Sequence, residues 1–146
     1  MQVASHVTIV FVIVSLHVAT GAAAGATVRS RGVALLVGGL LHVLGDRTPH
    51  MDIPSRGFEI GSGAALLVLI AGRRGMLDTA TIGALAASAP DVEHVLRLPR
   101  PGGRKLFPSH RVPGWHRAGG LSTAAQLLLA GALVGLVLAS RGRAPR

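Results

Sequence analysis

Five apolar blocks separated by polar or Gly/Pro-rich breaks organise the chain. They run from about Ala4 to Gly25, Arg31 to Asp46, Phe58 to Gly72, Asp78 to Leu96 and Leu121 to Ser140. A membrane-spanning helix needs about 20 mainly apolar residues, and a helix satisfies every backbone group within such a segment. The first, fourth and fifth blocks reach that length; the second and third extend into their flanks or sit inside the bundle. The pattern predicts an all-α protein, a polytopic membrane helix bundle with about five transmembrane helices. Residues 1–146 form a single membrane domain, with an Arg/Pro/Gly-rich loop at 97–120 and a basic tail at 141–146. No Lys or Arg precedes the first block, so it lacks the basic start of a cleaved signal peptide.

Small residues mark the expected helix contacts. Ala80, Gly83, Ala84, Ala87 and Asp91 share one face of the fourth block, Gly131 and Gly135 form a G-x-x-x-G in the fifth, and Gly38 and Gly39 lie one turn before His42.

Composition sharpens this picture. Hydrophobic residues make up 49% of the chain and charged residues only 14%, below the roughly 25% of an ordinary soluble domain. The absence of cysteine excludes disulfides, thiolate metal sites and Cys nucleophiles. A net charge of +9 would suit nucleic acid, but the basic residues flank apolar blocks, as membrane orientation requires. The partner implied is therefore membrane lipid and no nucleic acid. Every basic residue but Lys105 is Arg, which together with the Ala, Gly and Val richness points to a GC-rich bacterial genome.

The polar chemistry is concentrated. Five of seven His and four of six acidic residues fall in three short segments. In residues 40–53, His42 and Asp46 are four apart and share a helix face; Pro49 ends the helix, and His50 and Asp52 follow on a turn. In residues 88–98, Asp91 and His94 are three apart and continue the small-residue stripe into the bundle, while Pro90 kinks or restarts the helix. In residues 106–120, His110 and His116 flank a Pro113-Gly114 turn, and Trp115 is an interfacial anchor or a wall of the site. If all five blocks span, the loops after the second and fourth lie on one side, and the three segments meet at one membrane face. His and carboxylate without sulfur suit zinc, and also manganese or iron. His17 reads as a buried polar residue, His6 as a weak extra candidate and Glu59 as a partner behind the ligands. The chain has no G-x-S-x-G, Walker loop, H-E-x-x-H or dinucleotide fingerprint.

Asp91 to His94 in APDVEH, followed by His110-Arg111 and His116, resembles the membrane-bound metal-dependent hydrolases. These are small bacterial inner-membrane proteins with a Pro-Asp-x-Asp-His motif and then a His-Arg-Gly-x-Thr-His-Ser motif, so the resemblance implies a place in the bacterial cytoplasmic (inner) membrane. The stretch His42-x-x-x-Asp46-x-x-Pro49-His50-x-Asp52 resembles a motif of related bacterial membrane proteins, so the likeness covers roughly residues 40–120. Glu93 stands where that family has Asp, His110 and His116 are one residue further apart than the family pair, and Trp115 and Arg117 replace the family's Thr and Ser.

The resulting expectation is a metal-dependent hydrolase with a His/Asp site at one membrane face, acting on a lipid or phosphoester. The metal ligands are His42, Asp46, His50, Asp91, His94, His110 and His116, and the ion is divalent, Zn2+ first, with Mn2+ or Fe2+ as alternatives. Asp52 or Glu93 serves as general base, and Arg111 and Arg117 hold an anionic substrate. The alternative is a non-catalytic integral membrane protein whose cluster is a structural metal site or a polar packing network. A transporter would need a polar stripe that the third and fifth blocks lack.

Overall fold

A computed structural model describes residues 13–140 apart from Arg97 and Ala118. His6, the start of the first block and the basic tail 141–146 lie outside the described residues. The chain is helical: α1 (Val14–Thr27), α2 (Arg31–Arg47), α3 (Arg56–Arg74), α4 (Thr79–Ser88), the short α5 (Val92–Val95) and α6 (Pro108–Arg111), and α7 (Thr123–Ala139). Local chemistry sets the starts of the long helices. The side chains of Ser30, Ser55, Asp78 and Ser122 accept backbone N–H groups of the first turns of α2, α3, α4 and α7. Gly75, at φ +97°, ends α3 in a conformation that favours glycine.

Helix α1 is the axis of the bundle, packed by α2, α3, α4 and α7. Val18, Ala19, Ala22, Ala80, Ala84, Ile70 and Val134 form its buried core. Small residues control how closely the helices approach. A Cβ added at Gly21 would overlap the Gly83 carbonyl and the Ala87 side chain, and one at Gly83 would overlap the Gly21 carbonyl. Gly38 of α2 meets the same stretch of α4 from the other side. The stripe Ala80, Gly83, Ala84 and Ala87 is thus the seam on which α1 and α2 close. By contrast, Gly131 and Gly135 meet nothing within 4 Å among the described residues, so no described helix seats on that G-x-x-x-G.

The expectation of a polytopic membrane bundle with about five transmembrane helices, and with it the transmembrane assignment and the inner-membrane location, is overturned. Among the described residues, no helix is long and apolar enough to cross a membrane. The described α1 has 14 residues, and α2 and α7 have 17 each. At about 1.5 Å per residue, 17 residues span roughly 26 Å, short of the about 30 Å hydrocarbon layer. The longest, α3 with 19 residues, carries Arg56 and Glu59 in its first turn and Arg73 and Arg74 in its last. The fourth block, which reads as one long segment, breaks at Pro90: α4 stops at Ser88, and a 3-10 turn leads into α5. Part of the apolar character lies on outward faces, at Leu36, Val68, Leu128 and Leu136.

Candidate metal centre

The three polar segments meet at one end of the bundle. The last turns of α2 carry His42 and Asp46 on one face, both 0% exposed. The first turn of α1 brings in His17, 1% exposed. Pro90 tightens the chain into a 3-10 turn that presents Asp91, α5 carries His94, and α6 inserts His110. The Asp46 carboxylate lies at the centre. His17 Nε2 is 3.3 Å from Oδ1, while Oδ2 has His42 Nε2 at 3.1 Å, His110 Nε2 at 3.4 Å and His116 Nε2 at 3.8 Å. His110 also joins the second acidic segment: its Nε2 is 3.8 Å from Asp91 Oδ1, and its Nδ1 is 3.0 Å from His94 Nε2. Three overlapping groups each have ligand atoms within 4.8 Å of one another: His17, His42 and Asp91; His42, Asp46 and His110; Asp91, His94 and His110.

The outer partners decide where the protons are. His42 Nδ1 donates to the Ala87 carbonyl at 2.8 Å, and His50 Nδ1 donates to the Thr48 carbonyl. His110 Nδ1 donates to the Glu93 carboxylate, whose other oxygen accepts the Leu106 N–H. An imidazole whose one nitrogen donates outward turns a lone pair inward, the arrangement found behind metal ligands. The Nε2 atoms of His42 and His110 lie 3.3 Å apart, and both face the Asp46 carboxylate. Among the described residues, both Asp46 oxygens, His17 Nε2 and Asp91 Oδ2 are buried without a hydrogen bond. Buried polar atoms are normally satisfied, and these lie together where a cation could satisfy them. The residues therefore form buried His/Asp groups positioned to hold a metal ion.

The electrostatics are consistent with ligand duty. Burial opposes the Asp46 charge, but His110, His17 and His42 around it outweigh burial and hold the carboxyl well below its usual range. Burial pushes His17 down to about 4 against the pull of Asp46, and His94 down to about 3 with help from His110 and Lys105, so both rings are neutral near pH 7. Asp91 is pushed up to about 7, chiefly by burial; His42 opposes this, and Asp46, Glu59 and Glu93 add to it. Glu93 is buried too, yet the Leu106 N–H and His110 keep it below its usual range.

Of the residues expected from sequence, His42, Asp46, Asp91, His94 and His110 are brought together. His116 stands at the rim, and His50 lies outside the three groups, with Nε2 3.9 Å from Asp52 Oδ1. Glu93, expected as a general base, is 0% exposed, with one carboxylate oxygen accepting from His110 and the other from Leu106. Arg111 and Arg117 are exposed and do not line the adjoining cleft; Arg111 donates to the Lys105 carbonyl. Trp115 Nε1 donates to the Val43 carbonyl at 3.2 Å and Arg47 lies over its ring, pinning the loop to α2. The reading of His17 as a plain buried polar residue missed its place beside Asp46. Its sequence signal was its position at the site end of the helix, hidden when the block is counted from Ala4.

Gln126 closes the site from behind. It donates to the Met51 and Leu121 carbonyls at 2.7 and 3.2 Å and accepts the Ile13 N–H. This ties α7 to the segment carrying His50 and Asp52, which also pairs with Leu121: the Met51 N–H donates to the Leu121 carbonyl and the Leu121 N–H to the Pro49 carbonyl. On the open side lies a cleft of about 450 Å³, lined by Asp91 and His94 together with Asp52, Glu59 and three cationic side chains. No known protein family, characterised protein or solved structure matches the chain.

Proposed function

We propose that this protein is a metal-dependent hydrolase whose His/Asp cluster holds a divalent ion, zinc in preference to manganese or iron. The observation that carries the reading is the set of buried nitrogen and oxygen lone pairs from α1, α2, the Pro90 turn and α6. They lie within reach of one another beside an open cleft, and both Asp46 oxygens, His17 Nε2 and Asp91 Oδ2 among them have no hydrogen bond. His42, Asp46, His110 and Asp91 are the leading ligands, with His17 and His94 next to them. An all-nitrogen and oxygen set with neutral imidazoles suits zinc. When bound, such an ion supplies Lewis acidity, polarising a substrate oxygen and acidifying water. The chain's own groups do the remainder. Glu93 fixes the His110 ring, Asp52 at the cleft wall accepts a proton, and the cleft admits the substrate beside Asp91 and His94. The likeness of APDVEH and the later His pair to the metal-dependent hydrolases supports the same chemistry.

A second reading is favoured by the depth of the inner residues: His17, His42 and Asp46 are at most 1% exposed, as in a structural metal staple. Elemental analysis of purified protein, followed by ester and phosphoester hydrolysis assays with chelator and added zinc, separates the two. Bound zinc with chelator-sensitive hydrolysis is expected. Bound zinc without hydrolysis of any ester leaves the staple, and protein that takes up no metal overturns both.

A further inference from the structure

The cleft beside Asp91 and His94 has a chemical character of its own. Three cations line it: Arg56 from the start of α3, and Arg100 and Lys105 from the loop after α5. Two are held in place by the backbone of the site. Arg56 donates through Nη2 to the His94 carbonyl, and Arg100 donates through Nη2 to the Glu93 carbonyl at 3.0 Å. Each contact uses one of five guanidinium N–H donors and leaves the planar fork oriented. Lys105 lies with Nζ 3.3 Å from His94 Nδ1, so its charge sits against a ligand residue. Asp52, Glu59 and Asp91 line it as well. Asp91 belongs to the metal groups, and Glu59 is pushed up to about 7 by burial, with Asp52 adding. Val14, Ile53 and Ile60 supply apolar wall. A volume of about 450 Å³ suits a small organic ligand.

We infer that this cleft binds a small phosphoester, its phosphate held by Arg56, Arg100 and Lys105 and its organic group against the apolar wall. This deepens the hydrolase reading, on which it rests for calling the phosphoester a substrate. Forked guanidinium donors and a point-charge ammonium are the usual means of holding a phosphate. Arg111 and Arg117 lie outside the cleft and have no part in it.

Inorganic phosphate titrated into the protein by calorimetry, once zinc-loaded and once chelator-treated, tests this. Wild-type protein is expected to bind phosphate in both states. The double variant Arg56→Gln/Arg100→Gln should bind at least tenfold more weakly, and Arg111→Gln/Arg117→Gln should bind like wild type. Because Arg56 and Arg100 also brace α5, Lys105→Gln is measured beside them; it removes a charge without removing a backbone contact and should weaken phosphate at least threefold. Wild-type protein that takes up zinc but no phosphate overturns the inference and leaves the hydrolase reading. Phosphate binding that is unchanged in both cleft variants also overturns it. Phosphate binding lost in the cleft variants, in a protein that never takes up metal, supports the anion site and removes the hydrolase reading instead.

Discussion

Replacing Asp46 by Asn keeps the shape of the central side chain and removes the negative charge on which the imidazoles converge. Three imidazole nitrogens stand within 3.4 Å of this carboxylate, and the residue is 0% exposed. Loss of one direct ligand is expected to weaken zinc at least 100-fold, which corresponds to about 2.7 kcal/mol. The same figure sets the assay. Zinc at about 100 times its dissociation constant stabilises the wild-type fold by about 2.7 kcal/mol. For a chain of this length that raises the melting temperature by roughly 5–10 °C. The variant also loses whatever the surrounding imidazoles contribute to the anion. The readout is therefore the difference between zinc and chelator within each protein, in which that contribution cancels. Thermal scans should show the shift in wild type and almost none in Asp46→Asn. An equal zinc-dependent shift in the two proteins would refute Asp46 as a ligand.

Four further outcomes follow from the same geometry. Asp91, at about 7, must lose its proton to bind a cation, so zinc affinity should rise roughly tenfold between pH 6 and pH 8, measured by competition with a chromophoric chelator; a flat profile contradicts its role as a ligand. Glu93→Gln loosens the His110 ring and should weaken zinc by about 10–100-fold without abolishing binding, whereas an unchanged affinity would show that the pairing does not position the ring. Glu59 has a folded pKa of about 7 against an ordinary 4.5, so folding binds its proton more tightly and stability falls as pH rises through that window. After discounting for solvent screening, this loss is about 1–2 kcal/mol, and denaturant titrations at pH 5 and pH 8 should show it reduced in Glu59→Gln. Gly83→Ala should destabilise by about 1–3 kcal/mol in denaturant titration, because its Cβ meets the Gly21 carbonyl, while Gly131→Ala, into open space within a helix, should stabilise by about 0.5–1 kcal/mol.

The helical class and the seam are local properties, and the sequence alone determined them. The apolar blocks read as helices, and the stripe from Ala80 to Ala87 shares a face because helical periodicity puts it there. His42 and Asp46 share a face for the same reason. What the sequence alone could not determine is anything set by the ends and depths of helices. Hydropathy counts apolar residues over a window, so it joined α4 to α5 across Pro90 and counted outward-facing Leu36 and Leu128 like core residues, and it yielded spans that the helices do not reach. His17 is another case: only the crossing of α1 with α2, fixed by contacts at Gly21 and Gly38 with α4, brings its ring to Asp46. The tertiary structure also turned Glu93 inward onto His110 and kept Arg111 out of the cleft. A side chain's chemistry can be read along the chain; its partner is chosen by where distant backbones are able to close.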